Sequence, residues 1–125
     1  MIALDSDVLI EILNPKSKRG VEMFNRVLDS GQEIYTTVIN LHEVAFGLHK
    51  HGKPVNDLLQ FSILDFTRED AILSSELELA LERIGKPIMR TDTMVAAIAI
   101  NNNAALCTFN AKHFEPLITK GLKLY

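Results

Sequence analysis

Asp5, Glu43 and Asp92 are the acids of this 125-residue chain whose placement could do chemistry. Asp5 ends the apolar run Ile2-Ala3-Leu4 and is followed by Ser6, Asp7 and the amphipathic Val8-Leu9-Ile10. A buried strand that ends in an acid puts a carboxylate at the carboxyl edge of a sheet, where α/β proteins bind ligands. Ser6 and Asp7 are then available to cap the helix that follows, which leaves Asp5 free to hold a cation. Glu43 falls in the first two turns of a helix expected after a strand around Tyr35, and Asp92 in the first turn of an apolar helix. Carboxylates brought close together repel unless they are protonated or neutralised by a cation. An all-oxygen set suits Mg²⁺ or Mn²⁺, not zinc. Such an ion at an open sheet edge suits phosphoryl chemistry.

Taken singly, each acid has a plainer reading. Asp92 complements a helix dipole. Glu43 shares a polar face with Asn40, Gly47 and Lys50, opposite Val38, Leu41, Ala45 and Leu48, and reads as solvated. Asp7 reads as a helix cap. It is topology that groups them, because every helix that follows a parallel strand starts near the same edge. Asn110, just past a strand over Ala104–Thr108, belongs there too.

The elements that must position these residues can be placed from periodicity and punctuation. Helices are expected over Asp7–Leu13, stopped by Asn14-Pro15, and over Ser17–Ser30, with Val21, Phe24, Val27 and Leu28 on one face and Gly31 as the stop. A strand at Glu33–Thr37 leads to a helix capped by Thr37 that runs to His51-Gly52. Pro54 opens a short helix through Phe61, and Ser62–Phe66 is a third strand. Thr67-Arg68-Glu69-Asp70 resembles a capping box, with Asp in the place of Glu or Gln. Its helix carries Leu73, Leu77, Ala80 or Leu81, and Ile84 at helical spacing and ends at Gly85. Thr91 is expected to cap the next helix, whose body Met94–Ile100 is apolar on every side and therefore buried. Asn101-Asn102-Asn103 is a turn, Ala111–Ile118 is helical, and Leu122–Tyr125 closes the chain as an edge strand. Alternating strands and helices predict an α/β fold, a three-layer α/β/α sandwich around a mostly parallel five-stranded sheet in one domain, 1–125.

The composition restricts the class. Hydrophobic residues make up 47% of the chain and charged residues 23%, a folded and soluble profile, not a disordered one. No run approaches the ~20 apolar residues of a membrane span, and no signal peptide is visible. The single Cys107 excludes an internal disulfide and fits a reducing cytoplasm. It reads as a small core residue. A net charge of −3 argues weakly against a nucleic-acid partner, but an acidic pocket filled by metal would hide part of that charge. Lys16, Lys18 and Arg19 after the first helix, and Lys50 and Lys53 after the third, either flank the acidic edge to hold phosphates or form an ordinary surface. His42, His49, His51 and His113 lack zinc spacing and read as surface or RNA-facing groups.

Four segments in order resemble the PIN domain family. Leu4-Asp5-Ser6-Asp7-Val8-Leu9-Ile10 is similar to its "DTNVLI" or "DSSVLI" opening. Thr37 to Gly47, with Asn40-Leu41-His42-Glu43-Val44, resembles its glutamate-bearing helix. Asp92-Thr93-Met94-Val95-Ala96-Ala97-Ile98-Ala99 matches "D-x-x-I-A-A-x-A". Leu106-Cys107-Thr108-Phe109-Asn110-Ala111-Lys112-His113-Phe114 is similar to "LVTxNxxxF". The nearest subgroup is the VapC toxins of prokaryotic toxin–antitoxin pairs. This resemblance implies a metal-dependent endoribonuclease, a homodimer, held inactive by a small antitoxin whose tail occupies the active-site groove. It implies Asp5, Glu43 and Asp92 as ligands of Mg²⁺ or Mn²⁺, with Ser6 and Thr108 in support. Many relatives carry a further aspartate in the fourth segment. This chain has Asn110 and His113 there, which puts a second metal in question, and Asp7 is the acid available to compensate.

Other readings stay open at this stage. One is a PIN domain that binds RNA or a protein without cutting, and another is a housekeeping RNA-processing nuclease. A receiver-like domain with Asp5 as phosphoacceptor has Asp65 available as its second acid, but Asn110 and Lys112 fit it poorly.

Overall fold

In the computed structural model, which describes residues 1–125, the strand Ile2–Leu4 (β1) lies at the centre of a five-stranded sheet. Leu4 is in register with Thr36 of Ile34–Thr37 (β2) on one side and with Cys107 of Ala105–Cys107 (β4) on the other. Ser62–Leu64 (β3) and Lys123–Leu124 (β5) form the edges, giving the order β3-β2-β1-β4-β5 with every neighbouring pair parallel. A central strand flanked on both sides cannot afford a polar side chain, and Ile2, Ala3 and Leu4 are all fully buried.

Alternation along β1 decides what packs where. Ile2 and Leu4 join Val8, Leu9, Val27 and Val44 in a core that also takes in Cys107. These residues come from the helices Ser6–Leu13 (α1), Lys18–Asp29 (α2) and Val38–Lys50 (α3). Ala3 points the other way, toward Ile98. On that face Arg68–Arg83 (α4), Arg90–Asn101 (α5) and Ala111–Phe114 (α6) build the second core around Leu77, Leu81, Ala96, Leu106 and Phe114. The apolar body of α5 is buried as its sequence predicts, from Val95 to Ala99. Strands run out from β1 first toward β3 and then, after α5, toward β5. The reversal leaves a crevice between the carboxyl ends of β1 and β4.

Caps set several helix starts. Thr37 Oγ1 accepts from Asn40 N at 3.2 Å, and Thr67 with Asp70 forms the full reciprocal box. Ser17 caps α2 by accepting from Gly20 N at 3.1 Å. Gly20 has a second constraint: a Cβ there would stand 2.1 Å from the carbonyl oxygen of Glu11, so α2 lies directly on the α1 backbone.

Several expectations need correcting. Thr91 does not cap α5; the helix starts after Met89 with no side-chain cap, and the Thr91 hydroxyl is buried without a partner. Pro54–Phe61 yields only a 3-10 turn at Leu58–Gln60. The last helix is α-helical only over Ala111–Phe114 and then tightens into a 3-10 segment, Glu115–Lys120, where Pro116 removes a donor. On α2 only Val27 of the apolar face is fully buried, with Val21 and Leu28 about half exposed. Ile84 is 60% exposed, because the chain turns away at Gly85.

Candidate active site

Asp5 follows β1 directly, and its amide still donates to the Cys107 carbonyl at 2.9 Å, so the sheet extends to the acid itself. Its carboxylate is almost enclosed, with 9% of the residue exposed. Three donors hold it. Ser6 N donates to Oδ1 at 2.9 Å, Asn40 Nδ2 to Oδ1 at 3.0 Å, and Thr108 Oγ1 to Oδ2 at 2.9 Å. Asp5 is therefore itself the N-cap of α1, a role expected of Ser6 or Asp7. The physical reason is position: its extended backbone points the carboxylate back over the first free amide of the helix.

Ser6 instead turns toward α3, where its hydroxyl donates to Glu43 Oε1 at 3.1 Å. Asp7 accepts from Val8 N at 2.7 Å and from Phe109 N at 3.1 Å, and lies within 3.4 Å of the Thr108 hydroxyl. Asp5 and Asp7 thus meet at Thr108, at the mouth of the crevice between β1 and β4. Asp92, in the first turn of α5, lies 3.0 Å from His113 Nε2 with both side chains partly exposed. His113 is thereby drawn to the acidic edge, not left on an open surface. Asn110 is exposed and its side chain makes no hydrogen bond; only its backbone N–H contributes, donating to Thr108 Oγ1 at 3.1 Å.

Electrostatics single out one carboxyl. Burial, then the charge of Asp7, then that of Asp92, push Asp5 up to about 6 against the pull of its Thr108 and Ser6 hydrogen bonds. No three acids, histidines or cysteines stand close enough as positioned to share one ion. The donor chemistry nevertheless fits a hard divalent cation: carboxylate and hydroxyl oxygens, with a buried carboxylate destabilised by like charge. Cys107 is not a candidate nucleophile. It is fully buried, and that burial pushes its thiol up to about 11.

Asn40 is the residue that sequence reasoning placed wrongly. Expected on a solvated face with Glu43, it is fully buried and bonded to Asp5 and to the Ser6 hydroxyl. The usable signal was its spacing, three residues after the cap Thr37 and three before Glu43, which puts it on the face that meets β1. Beside this site a cleft of about 520 Å³ runs between α1 and α3, with Glu43 in its wall and Ile10, Leu13, Val44 and Leu48 among its lining residues.

A family model described as PIN domain matches residues 2–116. The chain belongs to the PIN domain family. This PIN domain is similar to Ribonuclease VapC1 of Methanocaldococcus jannaschii, at 32% identity over 127 residues covering 99% of this chain and 86% of that one. It is also similar to Ribonuclease VapC2 of Rickettsia felis, 28% identical over 121 residues covering 90% and 88%. Among solved structures, that of VapBC2 from Rickettsia felis bound to a DNA fragment from their promoter superposes with a TM-score of 0.83 at 26% identity, over 100% of this chain and 98% of that one. The PIN domain has no helix long and apolar enough to cross a membrane.

Proposed function

We propose that this VapC-like PIN domain is a metal-dependent endoribonuclease, the toxin of a toxin–antitoxin pair, acting in the cytoplasm as a homodimer. One observation carries the reading: a carboxylate at the sheet's switch point, held by donors from α1, α3 and the residue after β4, and raised by its burial and by the charges of Asp7 and Asp92. A position so unfavourable for an isolated negative charge is one that a cation would stabilise. Asp5, Glu43 and Asp92 would hold Mg²⁺ or Mn²⁺, with Asp7 as a further acid beside Asp5. When bound, such an ion supplies activation of water and neutralisation of charge on the phosphodiester.

The chain's own residues supply orientation. Asn40 and Thr108 fix the two oxygens of Asp5, and Ser6 steers Glu43 from the other side. The two backbone donors on Asp7, from Val8 and Phe109, hold that carboxylate in place. Fixed acids lower the reorganisation needed when charge develops on the phosphate. Hydrolysis by water leaves a 5′-phosphate and a 3′-hydroxyl, whereas attack by the ribose 2′-hydroxyl leaves a 2′,3′-cyclic phosphate.

An antitoxin partner is supported by the likeness to the VapBC2 structure and by the cleft that reaches Glu43, whose wall includes Leu13, Val44, Leu48 and the 56% exposed Ile10. The test is cleavage of single-stranded RNA by purified protein with Mn²⁺, chelator as control, and mapping of the product ends. Metal-dependent cleavage with 5′-phosphate ends, lost in Asp5→Asn and Asp92→Asn, is the expected result. Cyclic phosphate ends, or full activity in both variants, would overturn it.

A second reading, an RNA-binding PIN domain that does not cut, draws on Asn110 at the fourth segment and on Asp92 being paired with His113. RNA binding with no cleavage in either Mn²⁺ or Mg²⁺ would favour it.

A further inference from the structure

Arg19 lies next to this site and has no place in the chemistry above. Its Nη2 donates to Glu11 Oε1 at 2.8 Å, and its guanidinium carbon sits 4.4 Å from the centroid of the Phe109 ring. Glu11 is itself gripped by the hydroxyl of Ser17, the residue that caps α2. The tether is short because Gly20 lets α2 rest on the α1 backbone at Glu11. Phe109 in turn donates its amide to Asp7 at 3.1 Å. An arginine is thus fixed by an acid on one side and a ring on the other, one residue from the acidic edge.

Only one guanidinium nitrogen is used by the protein, and the side chain is 60% exposed. The remaining N–H donors of its planar fork have no protein partner, and that fork is the geometry that matches two phosphate oxygens. Stacking on Phe109 occupies the ring, so this edge offers a phosphate contact and not a platform for a base. Of the other arginines, Arg90 at the head of α5 is held on both arms of its fork by Glu78, and Arg26 lies over the Tyr125 ring.

From this juxtaposition we infer that Arg19 is a positioning residue for the substrate: it anchors a backbone phosphate of the RNA strand beside Asp7. The inference rests on the ribonuclease reading. Phosphate contacts position a strand without reading its sequence, so the anchor acts equally on all RNA targets. A merely structural role predicts something different. An exposed Arg–Glu pair contributes little to folding, and its loss would show in stability or not at all.

The experiment measures KM, kcat and the salt dependence of RNA affinity for wild type, Arg19→Gln and Arg19→Lys, with thermal unfolding alongside. Arg19→Gln is expected to raise KM about tenfold, the effect of one lost charge-assisted contact, with kcat nearly unchanged. The slope of log affinity against log salt should fall by about 0.7, the share of one phosphate on a single strand. Arg19→Lys, which keeps the charge without the fork, should recover part of the loss and most of the slope. Wild-type KM and slope in Arg19→Gln, while wild type cleaves normally, would overturn the anchor alone. A changed melting temperature with unchanged KM would also overturn it, in favour of a structural role. Absence of both RNA binding and cleavage in wild type would remove the anchor together with the reading beneath it.

Discussion

Asn40 Nδ2 donates to Asp5 Oδ1 at 3.0 Å across 35 residues of chain, in a place where neither residue meets solvent freely. The same amide group reaches the Ser6 hydroxyl at 2.9 Å, and the Asn40 carbonyl oxygen accepts from Thr37. One buried side chain therefore joins the end of β2, the start of α3 and the acid at the end of β1. A buried amide with all its partners in place rigidifies, and one left unpaired is costly.

Asn40→Ala should destabilise the fold by roughly 1–3 kcal/mol, since it strips donors from a buried carboxylate and a hydroxyl. It should also lower kcat more than it raises KM, because Asp5 loses its lock on one side. Urea denaturation and steady-state RNA cleavage measure the two effects. A wild-type urea midpoint would show that the hydrogen bond carries no stability.

The raised Asp5 carboxyl makes a pH prediction for the cation-free protein. Its folded value of about 6 lies above the ordinary 3.8, so between the two the folded state binds more proton than the unfolded chain. Stability attributable to this group is therefore greatest near pH 4 and falls as pH rises through about 6, by ~2–3 kcal/mol in all. Asp5→Asn removes the titrating carboxyl and can keep the hydrogen bonds, because the Thr108 hydroxyl can accept from the new amide and turn its own proton to Asp7. The variant should melt above wild type at pH 7.5 in chelator, lose that advantage at pH 4.5, and cleave no RNA. The same melting difference at both pH values would exclude a titrating, destabilised carboxylate.

His113 occupies the fourth segment opposite Asp92. His113→Asp puts two carboxylates where an imidazole and a carboxylate now meet. Without cation they repel, so the variant should unfold at lower temperature than wild type at pH 7.5. Added Mn²⁺ should raise its melting temperature by more than it raises that of wild type. Equal metal-induced shifts would indicate that position 113 does not face the ion.

Gly20→Ala tests the seat of α2 on α1. With a backbone oxygen 2.1 Å from the new Cβ, relief requires moving a helix, not turning a side chain. A cost of about 2–3 kcal/mol is expected, in the range of an overpacked core. Chemical denaturation reads it directly, and an unchanged midpoint would mean that the two helices separate without penalty.

Much of this protein is written in its local sequence. The alternation of apolar strands with capped helices is enough to predict a parallel α/β sheet, and the all-apolar body of α5 is enough to predict its burial. Asp5 at the end of β1 follows from those elements directly, and Asp92 less so: its helix follows α4, not a strand, and its head reaches the carboxyl edge because its other end feeds the start of β4. The caps at Thr37 and Thr67 were legible for the same reason, because their partners lie three residues away.

What tertiary structure decided are the relationships that cross the chain. Burial of Asn40 depends on how α3 meets β1, and a polar side chain carries no local mark of being enclosed. The pairing of Asp92 with His113, 21 residues apart, exists only once α5 meets α6, and that of Asp7 with the Phe109 amide, 102 apart, only once α1 meets the chain leaving β4. Asp5 illustrates both halves. Its place at the sheet edge was set by the residues before it and its nearest like charge, Asp7, by the residues after it, while burial, the largest cause of its raised pKa, and the added charge of Asp92 came only with the fold. Desolvation and like-charge repulsion are properties of a folded neighbourhood, and no single stretch of sequence contains one.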